Sequence, residues 1–355
     1  MKSVDFLYSD TLYKSPLYKK YYKIIDFYRK ASLEELSKNA DTVCRENYGN
    51  KVFLRGLIEF SNYCSMDCLY CGIRKSNTKV ERYRLTEEEI LSTVKMGFKI
   101  GFRTFVLQSG EDSFFSTKIM AGIIEKIKNI TGGGAAITLS CGIRPKSDYR
   151  IFKNAGADRY LLRFETSEPA LHHYLRNGIP LENRLKALYD LKELGYETGS
   201  GYMLGLPGET EEIRIKNALL CVELELDMIG IGPFIPHPDT PLANEKKESL
   251  ELTLRATSLL RLLLPKSNIP ATTAAGSISP NGRERMLAAG ANVLMPNLTP
   301  TAYKKNYLLY PGKICIDEDG EKCISCLSFR LNSIGKDICF ERGDSIKYRE
   351  GKKLA

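Results

Sequence analysis

Three cysteines, Cys64, Cys68 and Cys71, are spaced C-x3-C-x2-C, with Tyr70 directly before the third. A cubane 4Fe-4S cluster is usually held by four thiolates, so a loop with three cysteines leaves one iron without a protein ligand. The spacing therefore predicts a cluster whose open iron can bind the amino and carboxylate groups of a small molecule. The alternatives are a structural zinc site, which would need a fourth Cys or His nearby, and a chance cluster in a cysteine-rich chain.

The same spacing is the signature of the radical S-adenosylmethionine (SAM) enzymes, in which a reduced cluster cleaves SAM to a 5′-deoxyadenosyl radical. In these enzymes a Gly-Gly-Glu-like turn after the second strand binds the amino group of SAM. This chain has Ser109, Gly110 and Glu111 at that place, where the glycine lets the backbone approach a ligand. The alternative is a simple turn between a strand and a helix.

Composition places the chain among ordinary globular proteins. Its 355 residues and 43% hydrophobic content suit one large α/β domain or two smaller ones. The first thirty residues have no apolar signal-like run and no stretch of 18 apolar residues occurs, so we expect a cytoplasmic protein without a membrane partner. Ten cysteines without a secretion signal favour ligands over disulfides, and an exposed cluster implies an oxygen-labile, anaerobic protein.

The net charge of +9 is spread along the chain, which argues against a nucleic-acid partner. Attraction to anionic small molecules explains the charge as well. It also suits an acidic electron donor such as ferredoxin or flavodoxin.

From residue 51 onward, short apolar runs alternate with amphipathic segments of helical length, which predicts βα units and a parallel sheet. The eight predicted strands span residues 52–60, 104–108, 135–140, 159–163, 197–204, 228–232, 269–273 and 291–295. Thr86 and Glu89 have capping-box spacing before one of the helices. Polar groups follow nearly every strand, which favours a closed (βα)8 TIM-type barrel over a doubly wound open sheet.

The predicted organisation has three parts. Residues 1–50 form an N-terminal helical extension, with helices at 18–30 and 32–45 that we place as a cap at the bottom of the barrel. The barrel spans residues 51–297. Residues 298–355 form a cysteine-containing tail across or beside the barrel mouth.

Arg163 and Glu165 flank Phe164 at the end of the fourth predicted strand, so both point to the same side of the sheet. They could clamp SAM through its carboxylate, ammonium group or ribose. The alternative is a mutual ion pair that merely closes the barrel. Arg184, in the following helix, is a further carboxylate-binding candidate or an exposed helix arginine, and Tyr70 could stack on the adenine.

Thr272, Thr273 and Met295 would line the lower lumen as substrate contacts, although adjacent threonines are also common in strands. His172 and His173 are expected to be solvated in a charged helix. His237, between prolines, could face the mouth, and we do not expect it to bind a metal.

A second group, Cys315, Cys323 and Cys326, is spaced C-x7-C-x2-C after the barrel. Three thiolates again suggest an iron-sulfur cluster, either 2Fe-2S or 4Fe-4S with a non-cysteine ligand. Zinc with Cys339 as the fourth ligand is the alternative.

Several longer runs resemble the HydE family of radical SAM maturases, which act in FeFe-hydrogenase assembly. They are residues 58–74, 106–112, 156–163, 230–241, 269–273 and 310–315. The resemblance implies that the chain acts on a small-molecule or organometallic substrate in building the diiron site of the hydrogenase, beside other maturation proteins. It implies SAM contacts at Ser109, Ser140, Arg163, Glu165, Arg184, Tyr307 and Leu309, with Thr272, Thr273 and Met295 near the substrate. It also implies that the accessory cluster is not catalytic.

Two departures from the family concern the cavity. The chain reads Cys-Gly-Ile-Arg after Ser140, where the family has Leu-Gly-Glu, and it has Phe164 where some members have His. Three alternatives therefore stay open: a paralogue with another substrate, a mutase or sulfur-inserting enzyme related to methylornithine synthase or biotin synthase, and an iron-sulfur scaffold that never cleaves SAM.

Overall fold

The structure is a computed structural model that describes residue 7, residues 12–317 and residues 320–354, apart from the side chains of 320–323 and 353–354. The strands are β1 (Lys51–Leu54), β2 (Gly56–Ser61), β3 (Thr104–Ser109), β4 (Ala136–Ser140), β5 (Arg159–Leu161), β6 (Glu197–Ser200), β7 (Met203–Leu204), β8 (Met228–Ile229), β9 (Gly232–Pro233), β10 (Val293–Leu294) and β11 (Asp337–Cys339).

Two helices precede the first strand, and the others lie between or after the strands. They are α1 (Pro16–Lys30), α2 (Leu33–Tyr48), α3 (Glu87–Lys99), α4 (Thr117–Ile130), α5 (Lys146–Ala155), α6 (Pro169–Leu175), α7 (Leu181–Glu193), α8 (Glu211–Glu223), α9 (Leu250–Leu263), α10 (Thr273–Ile278), α11 (Gly282–Ala288), α12 (Thr301–Lys304), α13 (Gly320–Asn332) and α14 (Ile346–Leu354). The capping box predicted at Thr86 and Glu89 is present at the start of α3.

The strands form a closed parallel barrel. β2, β3, β4, β5, β6 and β8 are neighbours in one six-stranded sheet, and β10 pairs with β1 in another. Single bridges close the ring: Leu57 pairs with Asn297 on one side, and on the other the segment after α9 pairs with both sheets, through Met228 with Asn268 and Pro270 with Val293. The helices that follow the barrel strands bury apolar faces, as α4 does with Ile123, Ile124 and Ile127. The prediction of an α/β barrel is confirmed.

The strands are shorter and more broken than predicted. The first predicted strand divides at Arg55 into β1 and β2, and the fifth divides into β6 and β7. Gly201 lies at the second break with a φ of 151°, and an added Cβ there would lie 2.0 Å from the Gly230 carbonyl oxygen, so the close approach of the two backbones requires glycine. The seventh predicted strand is reduced to bridges at Asn268 and Pro270, where proline cannot donate to a ladder.

Residues 340–345 form the floor of the barrel. The Gly343 carbonyl accepts from Arg55 Nη2 at 3.2 Å and from Asn268 Nδ2 at 2.8 Å. The Thr104 hydroxyl donates to the Arg342 carbonyl at 2.8 Å. Gly343 has a φ of 61° and packs its Cα on Phe53, where a side chain would clash. This short segment therefore contacts strands from several sides of the barrel and closes its lower end.

A buried ion pair ties the floor to the wall. Arg159 of β5 is fully buried, and its Nε lies 2.5 Å from Glu197 Oε2 on β6. The same guanidinium also pairs with Asp344 of the floor. Removing one member of such a network would leave a buried charge uncompensated. These residues therefore stabilise the fold and do not bind substrate.

The two N-terminal helices lie on the side of the barrel. α1 packs against α8 and α9, while α2 packs against α9 and α11. Arg255 of α9 donates to the Ala31 carbonyl between the two helices at 3.1 Å. The expectation that they cap the bottom is therefore wrong, because the floor segment already occupies that position.

The chain after β10 serves both ends of the barrel. Residues 307–313 reach the mouth, where Tyr307, Leu309 and Lys313 line the cavity, whereas β11 pairs with β1 and leads into the floor. The prediction of a tail at the mouth covers only its first part. Among the described helices, none is both long and apolar enough to cross a membrane.

Candidate active site

One cavity of about 340 Å³ opens at the carboxyl ends of the strands and reaches down to Arg55 near the floor. Its volume lies within the range of small-molecule sites. The cavity wall includes all the residues predicted for the cysteine loop, for SAM and for the substrate: Cys64, Tyr70, Cys68, Cys71, Ser109, Gly110, Glu111, Ser140, Arg163, Glu165, Arg184, Thr272, Thr273, Met295, Tyr307 and Leu309. The sequence prediction therefore identified residues that share one chamber.

The cysteine loop between β2 and α3 is held by Arg82. This guanidinium donates to the carbonyls of Asn62, Ile73, Arg74 and Asn77 at 2.5 to 3.0 Å. Those four acceptors lie on both sides of the cysteines, so one side chain fixes the shape of the loop. Sequence reasoning missed Arg82, since nothing in its local spacing marks a residue that binds carbonyls.

The three thiols sit in a partly closed environment. Burial raises the pKa of each, and for Cys71 the nearby Cys68 and Cys64 raise the pKa further. The Glu111 amide donates to Cys64 Sγ at 3.3 Å, and Arg176 Nη1 donates to Cys68 Sγ at 2.9 Å. Such donors stabilise thiolates. Within the described residues, no three Cys, His, Asp or Glu side chains converge as ligands of a single metal ion would.

The turn after β3 packs directly on the cysteine loop. The Gly110 amide donates to the Ser61 carbonyl at 3.2 Å, and the Glu111 carbonyl accepts from the Ser65 amide at 2.9 Å. A Cβ at position 110 would lie 2.2 Å from the Tyr63 carbonyl oxygen and 2.7 Å from the Cys64 Cβ. Only glycine allows this approach, so the turn and the loop hold each other in place.

Arg163 and Glu165 lie 3.4 Å apart, from Nε to Oε2, at the cavity wall. The pair is not a hydrogen bond, because both atoms are buried without a hydrogen-bond partner among the described residues. Glu165 also has a left-handed backbone, with φ at 68°, that turns the chain after β5. The mutual ion pair thus exists, yet it leaves polar atoms free to contact a ligand.

Arg184 and Arg176 converge on Glu111 from two sides. The Nη2 atoms of both arginines lie 3.4 Å from Glu111 Oε1. Both side chains are about 6% exposed, and each Nε has no hydrogen-bond partner among the described residues. The alternative of an exposed helix arginine at Arg184 is therefore wrong. Arg176, which follows α6, was missed by sequence reasoning.

Below these residues the cavity contains a second polar group. Glu59 is buried in β2 and lies 2.5 Å from Lys313 Nζ, while Asn297 Nδ2 donates to its other oxygen at 2.8 Å. Burial raises the pKa of the Glu59 carboxyl, and Lys313 opposes that rise. A charged residue inside a predicted buried strand was the available signal for this site.

The substrate candidates lie in the lower part of the wall. Thr272 precedes α10 and Thr273 is its first residue, so neither ends a strand as predicted. Met295 follows β10. Arg55 lies at the lower end, where burial lowers its pKa to about 9.

The two departures from the family lie at and behind the cavity wall. Cys141 is 1% exposed and lies 3.3 Å from the Tyr160 hydroxyl, and Phe164 is buried against Tyr202. Neither of these side chains is part of the cavity wall, but Gly142, which follows Cys141, is. The altered run after Ser140 therefore reaches the cavity at Gly142, whereas Phe164 lies behind its wall.

The histidines differ from prediction in one case. His172 is fully buried in α6 with its Nδ1 3.1 Å from the Ile179 carbonyl, so the expectation of a solvated side chain is wrong. Burial lowers its pKa to about 4, which keeps the ring neutral. His237 packs against Gly72 of the cysteine loop, and its Nδ1 accepts from the Asp239 amide at 3.1 Å.

Cys315 and Cys326 of the second cysteine group are not part of the cavity wall. Cys315 has a left-handed φ of 61° and lies 4.0 Å from Arg283 Nη2, while Cys326 on α13 is exposed. The Cys323 side chain lies outside the described residues. Cys339 packs with Cys44, Tyr48 and other apolar residues beside β1. The zinc alternative with Cys339 therefore gains no support from its surroundings.

The unpartnered polar atoms provide a test of whether the site suits a polar cofactor. The Nε atoms of Arg163, Arg176 and Arg184 and the Glu165 Oε2 atom are all buried at one cavity wall. Buried polar groups without partners are rare, and each one costs free energy. A ligand with a carboxylate, an ammonium group and hydroxyls, such as SAM, would satisfy them. The residues present therefore suit SAM beside a three-thiol cluster.

A parallel barrel with three thiols and paired arginines and carboxylates at its mouth defines the class of SAM-dependent iron-sulfur enzymes. The family model described as "Radical SAM superfamily" matches residues 58–221. The "[FeFe] hydrogenase maturase subunit HydE" of Thermotoga maritima is 51% identical over 303 residues, which are 85% of this chain and 86% of the relative. The chain belongs to the HydE family within the radical SAM superfamily.

More distant relatives share the fold. A 3-methylornithine synthase of Methanosarcina acetivorans is 30% identical over 307 residues, covering 86% of this chain and 85% of that protein. The crystal structure of methylornithine synthase (PylB) superposes with a TM-score of 0.78 and 26% identity, covering 94% of this chain and 96% of that one.

Proposed function

We propose that this radical SAM enzyme acts in the assembly of the diiron site of FeFe-hydrogenase. The observation that carries the proposal is the 51% identity to the HydE maturase subunit over most of both chains. The same comparison with 3-methylornithine synthase gives 30%. The larger identity favours the maturase function over an amino-acid mutase.

Cys64, Cys68 and Cys71 would hold a 4Fe-4S cluster and leave one iron for SAM. When bound, the cluster supplies the electron for reductive cleavage of the SAM sulfonium to a 5′-deoxyadenosyl radical. The support for these ligands is the spacing of the thiols and their common position at the cavity mouth.

The chain's own residues would orient SAM by charge. Arg163 and Arg184 are the donors for its carboxylate, and Glu111 and Glu165 are acceptors for its ammonium group and ribose hydroxyls. Ser109, Gly110 and Ser140 would lie beside SAM at the ends of β3 and β4. Tyr70, Tyr307 and Leu309 would surround its adenosine. Each of these residues lines the cavity, which supports the assignment.

The substrate would lie below SAM, beside Thr272, Thr273 and Met295. It would be a small molecule, and the family relationship favours an organometallic iron complex. The buried Glu59 and Lys313 pair provides both a negative and a positive group at this depth. Such a pair could hold an amino-acid portion of the substrate by its ammonium and carboxylate groups.

Anaerobic reconstitution with iron, sulfide, dithionite and SAM tests the chemistry. The wild type should form 5′-deoxyadenosine, and Cys71→Ala should not. Cys221→Ala is the matched control, because Cys221 is buried in α8 outside the cavity and should retain the cluster. A wild-type protein with an intact cluster and no 5′-deoxyadenosine would leave only the iron-sulfur scaffold.

Hydrogenase maturation tests the pathway. Extracts that lack this protein should yield inactive FeFe-hydrogenase, and the purified protein should restore activity. Full hydrogenase activity without it would reject the maturase function. Formation of 3-methylornithine or of a sulfur-inserted product would then identify the related alternatives.

A second iron-sulfur cluster is proposed at Cys315, Cys323 and Cys326. Its support is the C-x7-C-x2-C spacing. The variant Cys315→Ala/Cys326→Ala should lose iron and retain SAM cleavage, whereas unchanged iron content or bound zinc would contradict the proposal.

The proposed electron donor is an acidic ferredoxin or flavodoxin, supported by the net charge of +9. Other hydrogenase maturation proteins are proposed as partners in the same assembly. The cytoplasm is the proposed location, consistent with free thiols at all nine cysteines that the structure describes. Reduction by the protein donor should slow as salt increases, because screening weakens the encounter.

A further inference from the structure

Arg176 lies between the cysteine loop and the SAM side of the cavity. It is the first residue after α6, and its guanidinium is almost fully buried. Its Nη1 donates to Cys68 Sγ at 2.9 Å and lies 3.5 Å from the Tyr70 hydroxyl, while Nη2 lies 3.4 Å from Glu111 Oε1. One side chain thus bridges a cysteine and the turn after β3.

The backbone fixes this contact from both sides. The Arg176 amide donates to the His172 carbonyl at 2.9 Å, which ends α6 in a set position. The preceding Leu175 carbonyl accepts from the Leu69 amide, next to Cys68, also at 2.9 Å. The guanidinium and the thiol therefore belong to two segments that are hydrogen-bonded to each other. This backbone contact holds the Arg176 side chain close to Cys68 Sγ.

The other arginines of the cavity contact groups other than the loop cysteines. Arg163 lies against Glu165, Arg184 reaches Glu111, and Arg55 contacts Met228 near the floor. In the part of the chain that the structure describes, Arg176 is the cavity arginine with a hydrogen bond to one of the three loop cysteines. Its contact with sulfur is therefore a specific feature of this position.

We propose that Arg176 is a positioning residue that raises the reduction potential of the cluster through Cys68 Sγ. The inference rests on the proposed function, in which Cys68 is a cluster ligand. Reduction adds one electron to the cluster and makes its sulfur atoms more negative. A buried positive N–H donor at a ligand sulfur stabilises that state more than the oxidised one, since hydrogen bonds, net charge and exposure set these potentials.

Redox titration of the reconstituted protein, followed by the EPR signal of the reduced cluster, tests the proposal. Arg176→Gln should require a lower potential, with a change of about tenfold in the reduced-to-oxidised ratio at a fixed potential, equivalent to about 59 mV for one electron. Arg176→Lys retains the charge and should shift less. Arg150→Gln removes an exposed arginine of α5 and should not shift the midpoint.

A merely structural role for Arg176 gives a different result. Arg176→Gln would then bind less iron or unfold more easily, yet its assembled cluster would titrate at the wild-type midpoint, and that midpoint would overturn the proposal. Absence of any 4Fe-4S signal in the wild type would instead reject the proposed function. The two failures are therefore distinguishable.

A measurement on the wild type covers the case in which Arg176→Gln does not assemble. Protein with ¹⁵N-labelled arginine should show a ¹⁵N coupling to the reduced cluster in pulsed EPR, because an N–H bonded to a ligand sulfur receives spin density. Arg176→Lys with the same label should lose that coupling. A wild-type spectrum without an arginine coupling would overturn the proposal.

Discussion

Replacing Gly110 by alanine would test whether the turn after β3 determines where the cysteine loop lies. The new Cβ would be 2.2 Å from the Tyr63 carbonyl oxygen, and the Cys64 Cβ would be 2.7 Å away. The oxygen belongs to the backbone, so the contact cannot be relieved by rotating a side chain. The loop or the turn must move by about 1 Å to restore ordinary van der Waals distances.

A shift of this size should affect catalysis more than stability. Overpacking of this kind costs about 1–3 kcal/mol of folding free energy, which a 355-residue chain should survive. A displacement of about 1 Å at a reacting site can lower a rate about 100-fold. We therefore expect folded Gly110→Ala protein with less iron and with 5′-deoxyadenosine formation reduced about 100-fold.

Gly122→Ala is the matched control, since it adds the same methyl group in α4. An added Cβ at position 122 meets no atom within 4 Å, so the control should keep wild-type iron and turnover. It should gain roughly 1 kcal/mol of stability from the better helix propensity of alanine. Iron content, EPR and urea unfolding measure these effects. Wild-type iron and turnover in Gly110→Ala would refute the argument that this glycine positions the loop.

Three further predictions concern the loop, the lower cavity and pH. Arg82→Lys should lose most of the cluster, because one ammonium group cannot reach four carbonyls; iron and sulfide analysis against wild type checks this, and full loading would contradict it. Lys313→Met should lower the free energy of unfolding by about 3–5 kcal/mol, because it leaves Glu59 buried without its partner. The double variant with Glu59→Gln should recover part of that loss in urea unfolding, and equal losses would refute the pairing. The pKa of His172 is lowered to about 4 in the folded state. The neutral ring therefore contributes fully to the free energy of unfolding above about pH 6.5, and this contribution is lost as the pH falls toward 4. The wild-type apoprotein should therefore lose up to about 3 kcal/mol more than His172→Gln between pH 7.5 and 4, and parallel curves would exclude this role.

The barrel could be predicted because strands and helices alternate in a period that the sequence shows directly. Strand breaks could not, since they depend on contacts between distant residues. At the break in the fifth strand, the backbone of Gly230, between β8 and β9, approaches Gly201 so closely that only glycine fits. Pro270 did indicate in the sequence that the seventh strand would be irregular, because proline has no amide hydrogen for a ladder.

The site was predictable where chemistry imposes a spacing. The three cysteines and the turn at Gly110 each lie in a short motif with characteristic spacing, so the sequence alone shows that they belong to one site. Arg176 and Arg82 act through side chains that reach across loops, and no periodicity encodes such a reach. Glu59 falls between these cases, because its charge within an apolar strand marks it while its partner Lys313 is 254 residues away.

The floor of the barrel has a consequence for how the chain folds. Its Gly343 carbonyl binds Arg55, which precedes it by 288 residues, and Asp344 pairs with Arg159. During synthesis the lower ends of the first strands stay uncovered until residues 340–345 have been made. Contacts over such separations make folding slow. A nascent chain that has reached only β10 lacks residues 340–345, so the lower end of the lumen can be covered only after these residues have been made.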